Sequence, residues 1–145
     1  MQLKSFLSQV DQDRIVAAIR EAEARSRGEI RVHASSRAVE DVQREASLQF
    51  EKLGMTATRE RSGVLIYVAP QSQRFAIVGD SGIHQNCGPE FWKLIAAAME
   101  HDFREGRFSD GLVKGIAQAG DALAAHFPRD ARPDVNELSD HVSED

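Results

Sequence analysis

Apolar residues along this chain recur at two spacings, and the alternation between them lays out an α/β order of elements. Ile15, Ile19 and Ala22 step at helical spacing after Asp11, whose carboxylate can cap the free amides of a first turn, and Gly28 ends the run. Glu29-Ile30-Arg31-Val32-His33-Ala34 alternates strictly, as a strand does, with Ile30, Val32 and Ala34 on the buried face. Val39, Val42, Ala46, Phe50 and Leu53 return to helical steps and lay one stripe along a second helix that stops at Gly54. Gly63 then opens Val64-Leu65-Ile66-Tyr67-Val68-Ala69, an unbroken β-rich run suited to a central strand covered on both faces. Pro70 stops it, and Arg74-Phe75-Ala76-Ile77-Val78 resumes after a short polar turn, which predicts a hairpin.

Residues 79–88 read as a polar loop. Pro89 suits the first turn of a helix striped by Phe91, Ile95, Ala98, Met99 and Phe103 and ended by Gly106. Ser109 is placed to cap the next helix and Phe108 to staple onto Val113, with Leu112, Ile116, Ala119, Leu123 and Phe127 as its stripe. The order predicts a layered α/β sandwich: a small mixed sheet of three to four strands between helices, closed by a C-terminal antiparallel helix pair. Residues 1–128 are expected to form one domain. Residues 129–145, acidic and poor in large apolar side chains, are expected to be a mobile tail.

Composition narrows the function classes. At 145 residues, with 41% hydrophobic and 28% charged side chains, the chain is of ordinary globular make-up, and a domain of this size buries roughly 70% of its unfolded surface. Its net charge of -5, from 18 basic and 23 acidic residues without a basic block, lacks the footprint of a nucleic-acid binder. No apolar run approaches the roughly 20 residues of a membrane helix, and the polar stretch after Phe6 interrupts any signal-peptide core. With the single cysteine, Cys87, this leads to the expectation of a cytoplasmic protein that does not insert into a membrane.

Four segments carry a resemblance. Arg27-Gly28-Glu29-Ile30-Arg31-Val32, Arg61-Ser62-Gly63-Val64-Leu65-Ile66-Tyr67 and Arg74-Phe75-Ala76-Ile77-Val78-Gly79-Asp80 look like three strands of the TPM domain. Phe103-Arg104-Glu105-Gly106-Arg107-Phe108-Ser109-Asp110-Gly111-Leu112 resembles that family's turn between its last two helices. The resemblance implies a Rossmann-like sandwich of the kind found in bacteria and in chloroplast proteins tied to photosystem repair. It also implies candidate acid phosphatase activity and calcium binding, which are attributed to some members. Relatives often carry an acidic residue and an asparagine before the glycine of the middle strand. Arg61 and Ser62 stand there in this chain, and an arginine at that place opposes a cation directly.

The candidate chemistry gathers around residues 79–88, since open α/β sheets place ligands beyond the carboxyl ends of strands. Asp80 is the first candidate, as catalytic base or metal ligand, with Ser81 and His84 beside it as ligand contacts; the bland alternative is that Asp80 only caps its own turn. Asp102 falls on the buried stripe of its helix, where a carboxylate needs a partner: it is the second catalytic candidate, and a structural ion pair with Arg74, Arg104 or Arg107 is the competing reading. Arg74 and Arg107 are candidate phosphate holders. Glu29, in the family-like Gly-Glu-Ile start, joins Asp80 as a candidate metal ligand, or is simply an edge carboxylate.

The string Gly79-Asp80-Ser81-Gly82 shares letters with the nucleophile segment of chymotrypsin-like proteases, but only His33 precedes it and the pattern lacks two β-barrels, so that reading is rejected. His84 and Cys87 are three apart, yet the other histidines form no spaced set, and no zinc site is expected. Cys87 reads as a small half-buried thiol rather than a nucleophile.

Two functions follow. The first is a non-catalytic interaction or regulatory module that presents the Asp80 loop and the acidic tail to a protein partner. The alternative is a phosphate-ester hydrolase, possible with a divalent cation such as calcium. The first is preferred, because no nucleophile, base and electrophile set assembles with matched spacing.

Overall fold

The computed structural model describes residues 1–129 and 142–145. Helix α1 (Leu3–Ser8) and helix α2 (Gln12–Ala24) lead into strand β1 (Glu29–Ala34). Helix α3 (Val42–Lys52) and a 3-10 turn at Met55–Ala57 precede strand β2 (Gly63–Ala69). A second 3-10 turn, Pro70–Ser72, joins β2 to β3 (Arg74–Gly79). Helices α4 (Ser81–Cys87), α5 (Pro89–Arg104) and α6 (Phe108–His126) follow, and Ser143–Glu144 form the short strand β4.

The sheet has the order β3-β2-β1-β4. β1 runs parallel to β2 from Glu29↔Gly63 to Ala34↔Val68, β2 and β3 make the antiparallel hairpin the sequence predicts, and β4 lies parallel to β1 at two positions, His33↔Ser143 and Ala34↔Glu144. β2 is buried at every residue, as its unbroken apolar run requires. Its two faces build two cores. Val64, Ile66 and Val68 join Ile30, Val32 and Ala34 of β1 under α2, α5 and α6, while Leu65, Tyr67 and Ala69 pack with Ala46 and Phe50 of α3 and with Met55. The result is a layered α/β sandwich with helices on both sides of a mixed sheet.

Aspartate side chains cap the starts of α2, α3 and α4. Asp11 accepts from Arg14 N at 3.2 Å, and Asp41 does the same for α3 from Arg44 N at 3.1 Å. Three expectations need correction, and one helix was not foreseen. Ser109 does not cap α6: that helix begins at Phe108, and the Ser109 hydroxyl instead accepts from Asp11 N at 2.9 Å, tying the start of α6 to the start of α2. On α5, Trp92 rather than Phe91 is the more deeply buried ring, because it lies over Gly79, where an added Cβ would come within 2.3 Å of the indole. Residues 79–88 are not a loop. Asp80 caps α4 there, and Gly82 lets the helix press on the backbone of Glu60 and Arg61. Finally α1, six residues long, is too short to show a period, yet it buries Phe6.

The expectation of a mobile tail falls largely on residues 130–141, which lie outside the described residues. Residues 143 and 144 do form an element, paired to β1, with Val142 just before it packed against the core.

Candidate functional site

Strand directions decide which candidates can meet. β1 and β2 begin at the sheet end where antiparallel β3 finishes, so Glu29, Gly63 and Asp80 lie in one row, with Asp80 N donating to Gly63 O at 2.9 Å. All three are buried, and Gly63 between the two carboxylates has no side chain.

Asp80 is 6% exposed and is gripped from the preceding loop. Arg61 Nε donates to Oδ2 at 2.7 Å and Arg61 Nη2 to Oδ1 at 2.8 Å, a two-pronged charge-assisted pair. Oδ1 also accepts from Ser81 N at 2.7 Å, which starts α4. Arg61 reaches this geometry from a left-handed backbone, φ 54°, a region a non-glycine residue occupies at a cost. Its carbonyl accepts from Gly82 N at 2.8 Å, and Ser62 N donates to Thr58 Oγ1 at 3.2 Å, so the loop and α4 hold each other. Hydrogen bonds and the charge of Asp80 push the guanidinium pKa further up, keeping Arg61 a cation at every accessible pH. Ser81 and His84 are exposed on α4, and His84 Nδ1 accepts from Trp92 Nε1 at 3.1 Å.

The other candidates lie elsewhere. Trp92 packs on Gly79 near Asp80, and Asp102 follows ten residues later on α5, about 15 Å along the axis at 1.5 Å per residue. Asp102, 3% exposed, is an ion-pair hub: Lys114 Nζ lies 2.8 Å from Oδ2 and Arg107 Nη2 3.2 Å from Oδ1, while Asp102 O accepts from Arg107 N at 2.9 Å. The Lys114 ammonium, against burial and with help from Arg107, holds its carboxyl below the usual carboxylate range. Arg74 opens β3 at the far end from Asp80 and donates to Glu40 O. The structure thus brings Glu29, Asp80, Ser81 and His84 to one end of the sheet, and Arg74, Asp102 and Arg107 toward the other.

Three partners were not named from sequence: Lys114 for Asp102, Arg61 for Asp80, and Asp145 for His33. The hairpin register would have found the second, since Val64 opposite Gly79 brings residues 61 and 62 beside residue 80. His33 stacks on Tyr67, its Nδ1 lies 2.8 Å from Ser143 Oγ and its Nε2 3.4 Å from Asp145 Oδ2; burial lowers its pKa, against the pull of Asp145. Burial also pushes the half-buried Cys87 thiol up, away from nucleophilic character. Among the described residues, no group of three or more His, Cys, Asp or Glu side chains is placed to hold a metal ion, and no helix is long and apolar enough to cross a membrane.

A mixed sheet with a capped helix packed on the loop before its middle strand defines a layered α/β domain with a polar end. The profile of the TPM domain matches residues 1–122, and the chain belongs to that family. Its backbone is similar to the solution structure of protein BA42 from the psychrophilic bacterium Bizionia argentinensis, at 41% identity and a TM-score of 0.84 over 92% of each chain. The N-terminal domain of a P. gingivalis protein, also solved in solution, shares the fold at 18% identity and a TM-score of 0.60, over 81% of this chain and 76% of that one. No curated protein matches the chain.

Proposed function

We propose that this TPM domain is a non-catalytic interaction module that displays the α4 end of its sheet to a protein partner in the cytoplasm. The observation that carries this reading is the Arg61–Asp80 fork. Both oxygens of the first-choice carboxylate are occupied by a tethered cation, which leaves Asp80 neither a free base nor a free metal ligand. Calcium takes six to eight oxygens, several from carboxylates, and here only Glu29 shares the row with Asp80 while a guanidinium stands where the ion's charge would lie. The residues present do not suit such an ion. The second catalytic candidate, Asp102, is remote and committed to Lys114 and Arg107. What remains at this end is a shaped surface: exposed Arg61, Ser81 and His84 on a loop and helix locked together. A net charge of -5 speaks for a protein rather than a nucleic acid as partner, and the unpaired thiol of Cys87 suits a reducing compartment.

Thermal unfolding with calcium or magnesium, followed by an assay on a generic phosphate ester, tests the reading. The expected result is no rise in midpoint with either ion and no turnover, since an ion that binds the folded state raises the midpoint by mass action. Turnover by the wild type that an Asp80→Asn variant abolishes overturns it.

A further inference from the structure

At the sheet end away from Asp80, the turn between β2 and β3 borders an open cavity of about 770 Å³, within the size range of small-molecule sites. Four rings run along its wall in sequence. Phe6 meets Phe108 at 5.2 Å between centroids, Phe108 meets Phe103 at 5.7 Å, and Phe103 meets Phe75 at 5.1 Å. The rings come from α1, α6, α5 and β3, so the wall exists only in the folded chain. At the rim stand Arg74 and Arg104. Arg104 is neutralised by Glu100 at 2.7 Å, whereas Arg74 has no carboxylate partner among the described residues. Its one side-chain hydrogen bond among the described residues, to the Glu40 carbonyl, leaves most of a guanidinium's five donors available. A hollow with an aromatic wall and an uncompensated arginine at its rim is complementary to a molecule with an apolar tail and an anionic head.

From this we infer that the cavity binds an amphipathic carboxylate, with its alkyl or aryl tail along Phe75, Phe103 and Phe108, which Phe6 backs from the core, and its carboxylate on Arg74. Arg74 then serves an anion, as the sequence suggests, but at a place distinct from Asp80. The two sites are independent: the cavity function stands or falls without the interaction surface at α4.

Straight-chain carboxylates from hexanoate to decanoate, below their micelle concentrations, are the probes. Binding is followed on the full chain by amide chemical shifts and by thermal midpoint. Saturable binding that tightens about fourfold per added methylene is expected, with shifts concentrated at residues 69–75 and 96–104. Decanol should bind at least about tenfold more weakly than decanoate, and Arg74→Gln, at an exposed position, should weaken decanoate by a similar factor. Ala96→Phe, filling the hollow from α5, should abolish binding. Absent saturation, no dependence on chain length, an unchanged affinity in Arg74→Gln, or shifts confined to other parts of the molecule each overturn the proposal. Should Ala96→Phe fail to fold, the shift map and the Arg74 variant still decide.

Discussion

The Arg61 guanidinium spans both carboxylate oxygens of Asp80, at 2.7 and 2.8 Å, from a backbone held at φ 54°. Asp80 is buried while Arg61 is half-exposed, so the arginine acts as the lid over a carboxylate that would otherwise face the interior alone. Breaking such a pair from one side is worse than removing both charges. Arg61→Ala should therefore lower the thermal midpoint by several degrees, and adding Asp80→Asn should restore part of the loss. A double-mutant cycle in urea measures the coupling; strictly additive effects would refute it.

Gly82 has no room for a side chain. An added Cβ would come within 2.1 Å of Glu60 O and 2.6 Å of Arg61 O, both backbone atoms with no rotamer to yield. Gly82→Ala should cost about 1–3 kcal/mol or push the 58–62 loop off α4. Chemical denaturation measures the cost, and amide shifts at residues 60–62 report the displacement. An unperturbed variant of wild-type stability would contradict the contact.

His33 makes stability depend on pH. Its folded pKa lies below the ordinary imidazole value of 6.5 because burial disfavours the imidazolium; Arg31 and Arg37 add to this and Asp145 opposes it. As pH falls below 6.5, the unfolded chain takes up a proton that the folded chain resists, so stability present at neutral pH is lost until the folded pKa is passed. The slope from one such group is at most about 1.4 kcal/mol per pH unit. A His33→Gln variant should show a flatter stability profile between pH 7.5 and 5.5 than the wild type. Parallel profiles would remove His33 from the account.

Asp102 acts in a lower window. Lys114 and then Arg107 hold its pKa below 3.8, so the ionised pair contributes above that value and its contribution disappears as pH falls through the folded pKa. The difference in midpoint between wild type and Asp102→Asn should be clear at pH 7 and shrink near pH 3. A gap that stays constant would mean packing, not charge, is what the aspartate supplies.

Much of the fold could be read from periodicity because β2 and the stripes of α2 and α6 bury what their patterns say they bury, while on α5 Ile95 and Met99 do so and Trp92 takes the place expected of Phe91. The misses have physical causes. α1 and α4 are shorter than the window over which a helical period declares itself, and α4 is specified by Asp80 and Gly82, through a cap and a close approach, rather than by apolar spacing. Ser109 has the chemistry of a cap, but its hydroxyl is taken by an amide 98 positions away in sequence. At the site, residue types identified Asp80 and Asp102 as carboxylates in need of partners. The partners themselves came from register and helix packing: Arg61 through the hairpin alignment and Lys114 through the α5–α6 fold-back.

The outer rim of β1 has a consequence for the company this protein keeps with itself. Ile30 N is held by the Glu23 carboxylate at 2.9 Å, and the stretch around His33 and Ala34 is paired by just two residues of β4. A chain cut before residue 142 would bare that stretch, and an unpaired strand is a template for another copy's strand. The four residues at the end of the described chain thus cover a strand edge that would otherwise offer its backbone groups to another strand.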